Sequence, residues 1–171
     1  MAHRTGAFNG WKGRCSRRPG RSHHVVPLRR RRVAERGAWT VEEANAALPE
    51  VRTLLAQART HMADLREVEA HLEDLRIVWG DAVLAVACPG HAEFARYYAT
   101  FTDTRAKFQA VLLRFHALGI EVKEVEQGLV DFRGTVAAAP AYLCWKDGEE
   151  RVAHWHPLEG GFAARRPLPP K

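Results

Sequence analysis

Four residues near the C-terminus could carry chemistry, because aspartate, cysteine and histidine side chains bind metals and transfer protons. They are Asp131, Cys144, His154 and His156. Their types suggest a metal site built from Cys144 and the two histidines, or a Cys–His pair for nucleophilic catalysis. Both hypotheses require the side chains to lie on the same face of the local structure.

A β-hairpin is predicted around these residues. Asp147-Gly148 separates two segments of alternating character, as a two-residue type I′ turn requires. We therefore expect residues 141–146 to pair antiparallel with residues 149–154. In this register Leu143 lies opposite Val152.

This register decides which candidate ligands share a face. Because side chains alternate along a strand, His154 and His156 are expected on one face and Cys144 on the other, which argues against both hypotheses. The histidines could still share a metal with Asp131, but a His-x-His pair without a third fixed ligand often occurs by chance. The sequence also lacks a glycine-rich phosphate loop and a serine nucleophile elbow. We therefore predict no catalytic residues, no metal ligands and no cofactor.

Two amphipathic helices precede this β region. Thr40 and Glu43 form a capping-box pattern that predicts a helix start, and Pro49 predicts a short entry turn over residues 41–48, or else a kink. Apolar residues then recur every seven positions, which predicts an antiparallel, coiled-coil-like helical hairpin. These residues are Val51, Ala58, Leu65, Leu72 and Trp79 in the first helix, and Phe94, Phe101, Phe108 and Phe115 in the second.

The predicted fold is α+β and mainly α, with a single domain over residues 39–171. The antiparallel two-helix hairpin covers residues 39–118, and a small antiparallel β cap with the tail covers residues 119–171. Gly119 is the expected C-cap of the second helix. Residues 1–38 contain eleven basic residues and one acid, and their lack of apolar periodicity predicts a disordered basic arm.

The net charge of +6 comes from this arm, because residues 39–171 contain fifteen basic and nineteen acidic residues. Nucleic-acid binding is therefore expected only through residues 1–38, where Arg29-Arg30-Arg31-Arg32 could neutralise phosphates. The arm could also result from a wrongly assigned start, because Met62 is the next methionine and a start such as Val33 is conceivable.

The sequence limits the location of the protein. It has no run of 18 apolar residues that could span a bilayer, and its N-terminus lacks the apolar segment of a secretory signal. The three cysteines, Cys15, Cys88 and Cys144, lie far apart in the sequence and do not form a disulfide framework. We expect a cytoplasmic protein with reduced thiols and no membrane partner.

Six short motifs follow one another in an order typical of a known family. They are Thr40-Val41-Glu42-Glu43-Ala44-Asn45 with Leu48-Pro49, Gly119-Ile120-Glu121-Val122-Lys123, Gly128-Leu129-Val130-Asp131-Phe132, Tyr142-Leu143-Cys144-Trp145, Trp155-His156 and Gly161-Phe162-Ala163. Together they resemble the bacterial domain-of-unknown-function 2203 family over roughly residues 39–168. Arg133 departs from the proline expected after the Asp-Phe pair, and His154 departs from the usual aromatic residue. The resemblance implies a bacterial cytosolic protein and no particular activity.

The positions of Asp131, Trp145 and His156 in these motifs make them the candidates for a shared ligand or partner site. The leading hypothesis is a non-enzymatic protein-interaction or regulatory module that self-associates or binds a protein partner through apolar helix and cap surface. The alternative is a small-molecule or metal-binding protein, or an enzyme, that uses Asp131 and His156.

Overall fold

The computed structural model describes residues 37–169. Two long helices are followed by a five-stranded antiparallel sheet, so the predicted α+β, mainly helical fold is confirmed. The predicted arm lies outside the described residues except for its last two positions, 37 and 38. The elements are α1 (Val41–Trp79), a 3-10 helix (Gly80–Leu84), α2 (His91–Leu118), β1 (Ile120–Glu124), β2 (Leu129–Val136), β3 (Ala139–Lys146), β4 (His154–Pro157), a 3-10 helix (Phe162–Ala164) and β5 (Arg166–Pro167).

Helix α1 begins at the predicted capping box. The Thr40 hydroxyl accepts a hydrogen bond from the Glu43 amide at 3.1 Å, and the Glu43 carboxylate accepts one from the Thr40 amide at 2.9 Å. The helix then continues through Pro49, so the predicted separate entry turn is wrong. Leu48 and Val51 are buried on either side of the proline, and their packing offsets the lost backbone hydrogen bond.

Helices α1 and α2 lie side by side and run antiparallel. Arg114, near the end of α2, forms an ion pair with Glu50, near the start of α1, at 2.6 Å. Farther along the hairpin the His71 ring stacks on the Tyr97 ring, with centroids 4.7 Å apart. Apart from Val68, the buried residues of α1 lie in its first half, next to the sheet: Ala44, Leu48, Val51, Leu54, Leu55 and Ala58. A coiled coil along the whole hairpin therefore stays a prediction.

The sheet is a meander in which every strand pairs antiparallel with the next. One face packs on the helices and supplies Ile120, Val130, Phe132, Leu143 and Trp145 to the hydrophobic core. The opposite side, which we call the outer face, carries mainly polar residues, because alternate positions of the same strands point away from the core. No helix in the described range is long and apolar enough to cross a membrane.

The tight hairpin of the sheet joins β2 to β3 and was not predicted. Val136 pairs with Ala139, and the two residues between them are Ala137 and Ala138. Both have a positive φ, 50° and 63°, as the central positions of a type I′ turn require. Alanine adopts this conformation at a cost of about 1–2 kcal/mol per residue, so the pairing of the two long strands stabilises a turn that its own sequence disfavours.

The predicted hairpin at Asp147-Gly148 is only partly formed. A turn is present, since the Glu149 amide donates to the Lys146 carbonyl at 3.0 Å, but the chain then continues as a loop until β4 begins at His154. The predicted pairing of residues 141–146 with 149–154 is therefore wrong.

Contacts with α1 explain why this loop leaves the strand path. The Asn45 side chain accepts a hydrogen bond from the Val152 amide at 2.8 Å, and Val152 is buried in the core. Arg52 donates to the carbonyls of Glu149 and Glu150, at 3.3 Å each. These long-range hydrogen bonds satisfy backbone groups that would otherwise have paired with β3.

Candidate functional site

Three strands bring candidate residues together on the outer face. Asp131 pairs with Cys144 across β2 and β3, while Tyr142 pairs with His156 and Cys144 with His154 across β3 and β4. Because residues two apart on a strand share a face, Asp131, Cys144 and His156 lie on the same side of the sheet. The prediction that Cys144 and the histidines occupy opposite faces is therefore wrong, because the register on which it depended is not formed.

The three side chains form a compact buried cluster. Candidate ligand atoms of Asp131, Cys144 and His156 all lie within 4.8 Å of one another. The shortest contact joins His156 Nε2 to Asp131 Oδ2, at 3.1 Å. Asp131 and His156 are each 1 % exposed and Cys144 is fully buried. Two of the three residues that the motifs selected, Asp131 and His156, are thus in direct contact.

The hydrogen bonds of His156 define the chemistry of this contact. Its Nδ1 atom lies 2.8 Å from the Pro157 carbonyl oxygen. Because a carbonyl oxygen can only accept a hydrogen bond, Nδ1 must carry the proton when the imidazole is neutral. Nε2 then presents a lone pair to the Asp131 carboxylate. This contact is favourable only when a proton or a metal cation lies between the two atoms.

The Asp131 carboxylate has a second unusual feature. Its Oδ1 atom is buried and has no hydrogen-bond partner among the described residues. Leaving such an acceptor unsatisfied costs about 1–3 kcal/mol. Oδ1 therefore remains able to bind a ligand inside the cluster.

Cys144 is a neutral thiol in the absence of a ligand. Burial raises its pKa from 9.0 to about 12, and the negative charge of Asp131 adds to this increase. The thiol is thus kept protonated at neutral pH, because both burial and a neighbouring negative charge disfavour the thiolate. Among the described residues, Cys88 and Cys144 are both free cysteines.

A charged network borders the cluster on the β1 side. The Lys123 ammonium lies 2.7 Å from the Glu121 carboxylate and 3.7 Å from Asp131 Oδ2. The Tyr142 hydroxyl donates to Glu121 at 2.6 Å, and the Tyr142 ring lies 5.4 Å from the His156 ring. The hydrogen bond to Glu121 raises the pKa of both Lys123 and Tyr142, so Lys123 stays charged and Tyr142 stays protonated.

The family assignment rests on a comparison of sequences. The family model described as an uncharacterized conserved protein, DUF2203, matches residues 38–168. The chain belongs to this family. The predicted resemblance to DUF2203 is thereby confirmed, while the bacterial origin stays a prediction. No curated protein and no solved structure matches the chain.

The match of the DUF2203 model includes the whole cluster and begins where the described fold begins. Trp39 is 5 % exposed, and its amide donates to the Arg133 carbonyl at 2.9 Å. Its ring also packs edge-on against Phe132 at 5.2 Å. The family domain therefore includes the residues that lead into α1.

His154 of the DUF2203 protein belongs to a different group of side chains. Arg165 Nη2 lies 3.1 Å from His154 Nδ1 and donates to the Glu149 carboxylate at 2.7 and 2.8 Å. A site that joins both histidines and Asp131 to one metal is not formed, because His154 contacts Arg165 and Glu149 instead.

Trp145, the third residue selected by the motifs, lies on the helix-facing side of the sheet. It is fully buried in the core, and its indole N–H donates to the Glu149 carbonyl at 3.0 Å. Trp145 therefore cannot touch a ligand held by Asp131 and His156. The side chain beside Asp131 and His156 is instead that of Cys144, which the motif positions had not selected. The signal that could have found it is the alternation along β3, which puts Cys144 on the same face as Tyr142.

Proposed function

We propose that this DUF2203 protein is a metal-binding module in which Asp131 of β2 and His156 of β4 hold a divalent cation on the outer face of the sheet. The contact of His156 Nε2 with Asp131 Oδ2 carries the proposal, because both atoms are acceptors when the imidazole is neutral and its Nδ1 donates to Pro157. A cation satisfies both atoms at once. Metal-binding histidines commonly use a backbone carbonyl in this way to fix the orientation of the ring.

The burial of the cluster favours binding over catalysis. Asp131 and His156 are almost completely buried, which leaves little room for a substrate beside them. Two cavities of about 790 and 400 Å³ in the described part of the chain are lined by other residues. We therefore propose that the ion has a regulatory or structural role and that the protein is not an enzyme. We also propose that the protein lies in the cytoplasm, where its free thiols stay reduced.

The first test measures metal content and thermal stability. The full chain is purified without a metal-affinity step, its metal content is determined by mass spectrometry, and its melting temperature is recorded with and without added Zn²⁺ after chelation. Free Zn²⁺ at about a hundred times its Kd should raise the melting temperature by about 10 °C, because binding then adds about 2.7 kcal/mol to the free energy of unfolding.

Asp131→Asn and His156→Gln should remove both the bound metal and the thermal response. Asp74→Asn, which changes an exposed carboxylate on α1, is the matched control and should retain both. A wild-type protein that contains no metal and does not respond to Zn²⁺, Mn²⁺ or Mg²⁺ would overturn the proposal and leave the Asp131–His156 contact as a structural hydrogen bond.

Self-association is a second candidate function, favoured by apolar residues at the far end of the hairpin. We define the hairpin tip by five side chains that are more than half exposed: Ile77 (73 %), Val78 (69 %), Leu84 (55 %), Val86 (84 %) and Tyr98 (54 %). The groove beside them is lined by Leu84, Phe94 and Tyr98, together with Arg76, His91 and Ala95. A second copy of the chain, placed by a two-fold axis, would cover this surface with the same residues.

Sedimentation of the wild-type and variant chains tests this second candidate. Val86→Glu should convert a dimer in the micromolar range to a monomer, because it places a charge within the apolar contact. Leu113→Glu is the matched control, since Leu113 is 66 % exposed but does not belong to the tip. A wild-type protein that remains monomeric at these concentrations would exclude the tip dimer.

A further inference from the structure

We infer that Cys144 is the third protein ligand of the cluster and that its thiolate makes the site selective for zinc-like cations over Mg²⁺ and Ca²⁺. This inference rests on the metal-binding function proposed above. It adds a ligand that the predicted hairpin register had excluded, and it specifies the class of metal.

The geometry of the three strands supports a three-ligand site. Asp131 on β2 is the cross-strand partner of Cys144 on β3, and His156 follows on β4. A tetrahedral ion with one sulfur, one nitrogen and one oxygen ligand requires ligand atoms about 3.3–3.8 Å apart. The atoms of the cluster lie within 4.8 Å of one another, so movements of about an ångström would complete the coordination. All three ligands lie on paired strands, which hold them more rigidly than loops would.

The unsatisfied carboxylate oxygen distinguishes this cluster from an ordinary buried cysteine. Buried cysteines are common and often act only as small apolar side chains. Here the thiol lies beside Asp131, whose side chain is 2 % exposed and whose Oδ1 atom has no hydrogen-bond partner among the described residues. An ion at the centre of the cluster would give Oδ1, the thiolate and the imidazole a common partner.

The donor set decides the class of metal. Mg²⁺ and Ca²⁺ prefer six or more oxygen ligands, whereas thiolate and imidazole ligands favour Zn²⁺ and Co²⁺. As the metal–sulfur bond forms, the thiol proton leaves to solvent, so binding requires no oxidant or reductant. The two negative charges of Asp131 and Cys144 then balance the charge of the ion, which suits a buried site. Three protein ligands leave one coordination position for a water molecule or a small anion.

Cobalt titration of the full chain tests the role of Cys144 directly. Thiolate ligation of Co²⁺ gives a charge-transfer absorption band in the near ultraviolet, which oxygen and nitrogen ligands do not give. The wild-type protein should show this band at one equivalent of Co²⁺, and one equivalent of Zn²⁺ should abolish it. Millimolar Mg²⁺ or Ca²⁺ should leave the band unchanged. Loss of the band on addition of either ion would overturn the proposed selectivity.

A double variant, Cys15→Ser with Cys88→Ser, is the matched control, because Cys144 is then the only cysteine in the chain. It should keep the band, which assigns the band to Cys144 without any change at the site itself. Cys144→Ser and Cys144→Ala should lose the band and bind Zn²⁺ at least about tenfold more weakly in competition with a chelator.

The outcomes separate this inference from the proposed function. If the double variant binds Co²⁺ without the band, and Asp131→Asn still abolishes binding, Cys144 is not a ligand although the protein binds metal. If neither the wild type nor the double variant binds Co²⁺ or Zn²⁺, the proposed function and the inference both fail.

Discussion

The two faces of the sheet bury their side chains for different reasons. The helix-facing side buries apolar residues such as Phe132 and Leu143, and this burial removes hydrocarbon from water. The outer face buries Asp131 and His156 to the same extent, although both carry polar atoms. The comparison indicates that the first face maintains the fold, whereas the second retains polar groups whose burial costs stability unless they have a partner.

Truncation of a core side chain on the helix-facing side should have the largest effect on stability. Phe132→Ala should lower the free energy of unfolding by about 3–5 kcal/mol, because it leaves a cavity in a fully buried position. Urea denaturation followed by circular dichroism measures this loss. Thr135→Ala on the same strand, at an exposed outer-face position, should change it by less than about 0.5 kcal/mol. Equal losses would contradict the distinction between the faces.

Replacement of both members of the buried polar pair should not destabilise the metal-free protein, whereas replacement of one member should. His156→Leu alone should lower the stability of the metal-free protein by about 3 kcal/mol, because it leaves the buried Asp131 carboxylate with only the more distant Lys123 ammonium, at 3.7 Å, as a charged partner. The double variant, Asp131→Leu with His156→Leu, should be at least as stable as the metal-free wild type. Denaturation curves in the presence of a chelator measure both changes. A double variant as unstable as the single one would show that the pair itself stabilises the fold.

The buried thiol should make stability depend on pH in the alkaline range. The raised pKa of Cys144 means that the folded protein keeps the thiol proton up to about pH 12, whereas the unfolded chain releases it near pH 9. Above pH 9 the unfolded state therefore binds fewer protons, and the free energy of unfolding should fall as the pH rises from 9 toward 12. Other groups titrate there too, so the relevant quantity is the difference between the wild type and Cys144→Ala. Parallel pH curves for the two proteins would contradict the prediction.

The smallest expected changes in the free energy of unfolding come from substitutions in the two turns that follow β2 and β3. Replacing Ala137-Ala138 by Asn-Gly should raise the free energy of unfolding by about 1 kcal/mol, because these residues adopt a positive φ more readily. Gly148→Ala should lower it by about the same amount, since Gly148 has a φ of 95°. Melting temperatures of the two variants measure these changes. A stabilising Gly148→Ala would show that this turn does not maintain its positive φ in solution.

The sequence predicted best those features that depend on residues close together in the chain. The capping box at Thr40, the C-cap at Gly119 and the apolar repeats of the helices predicted the helical hairpin, because each depends on contacts within a few turns of helix. The break at Pro49 was predicted wrongly, since packing of Leu48 and Val51 against the core outweighs the local preference of proline.

The candidate site was predicted only in part. Motif positions selected Asp131 and His156, and the structure brings their side chains together, but the same motifs selected Trp145, which lies in the core. Cys144 was excluded because a hairpin signal at Asp147-Gly148 implied the wrong register. The observed partner of Leu143 is Trp155, three residues beyond the predicted Val152. Any odd change of register moves the side chains of a strand to the other face, so one local error removed a member of the cluster.

The sequence by itself determined the order of helices and strands, the capped ends of the helices and the alternation of polar and apolar residues in β2 and β3. Only the tertiary structure decided which residues of β3 and β4 lie opposite each other, because the loop between them is held by Asn45 and Arg52 of α1, about a hundred residues earlier in the chain. Such contacts leave no mark in the local pattern of either segment. The proximity of Asp131, Cys144 and His156 is therefore a property of the folded sheet and not of any one motif.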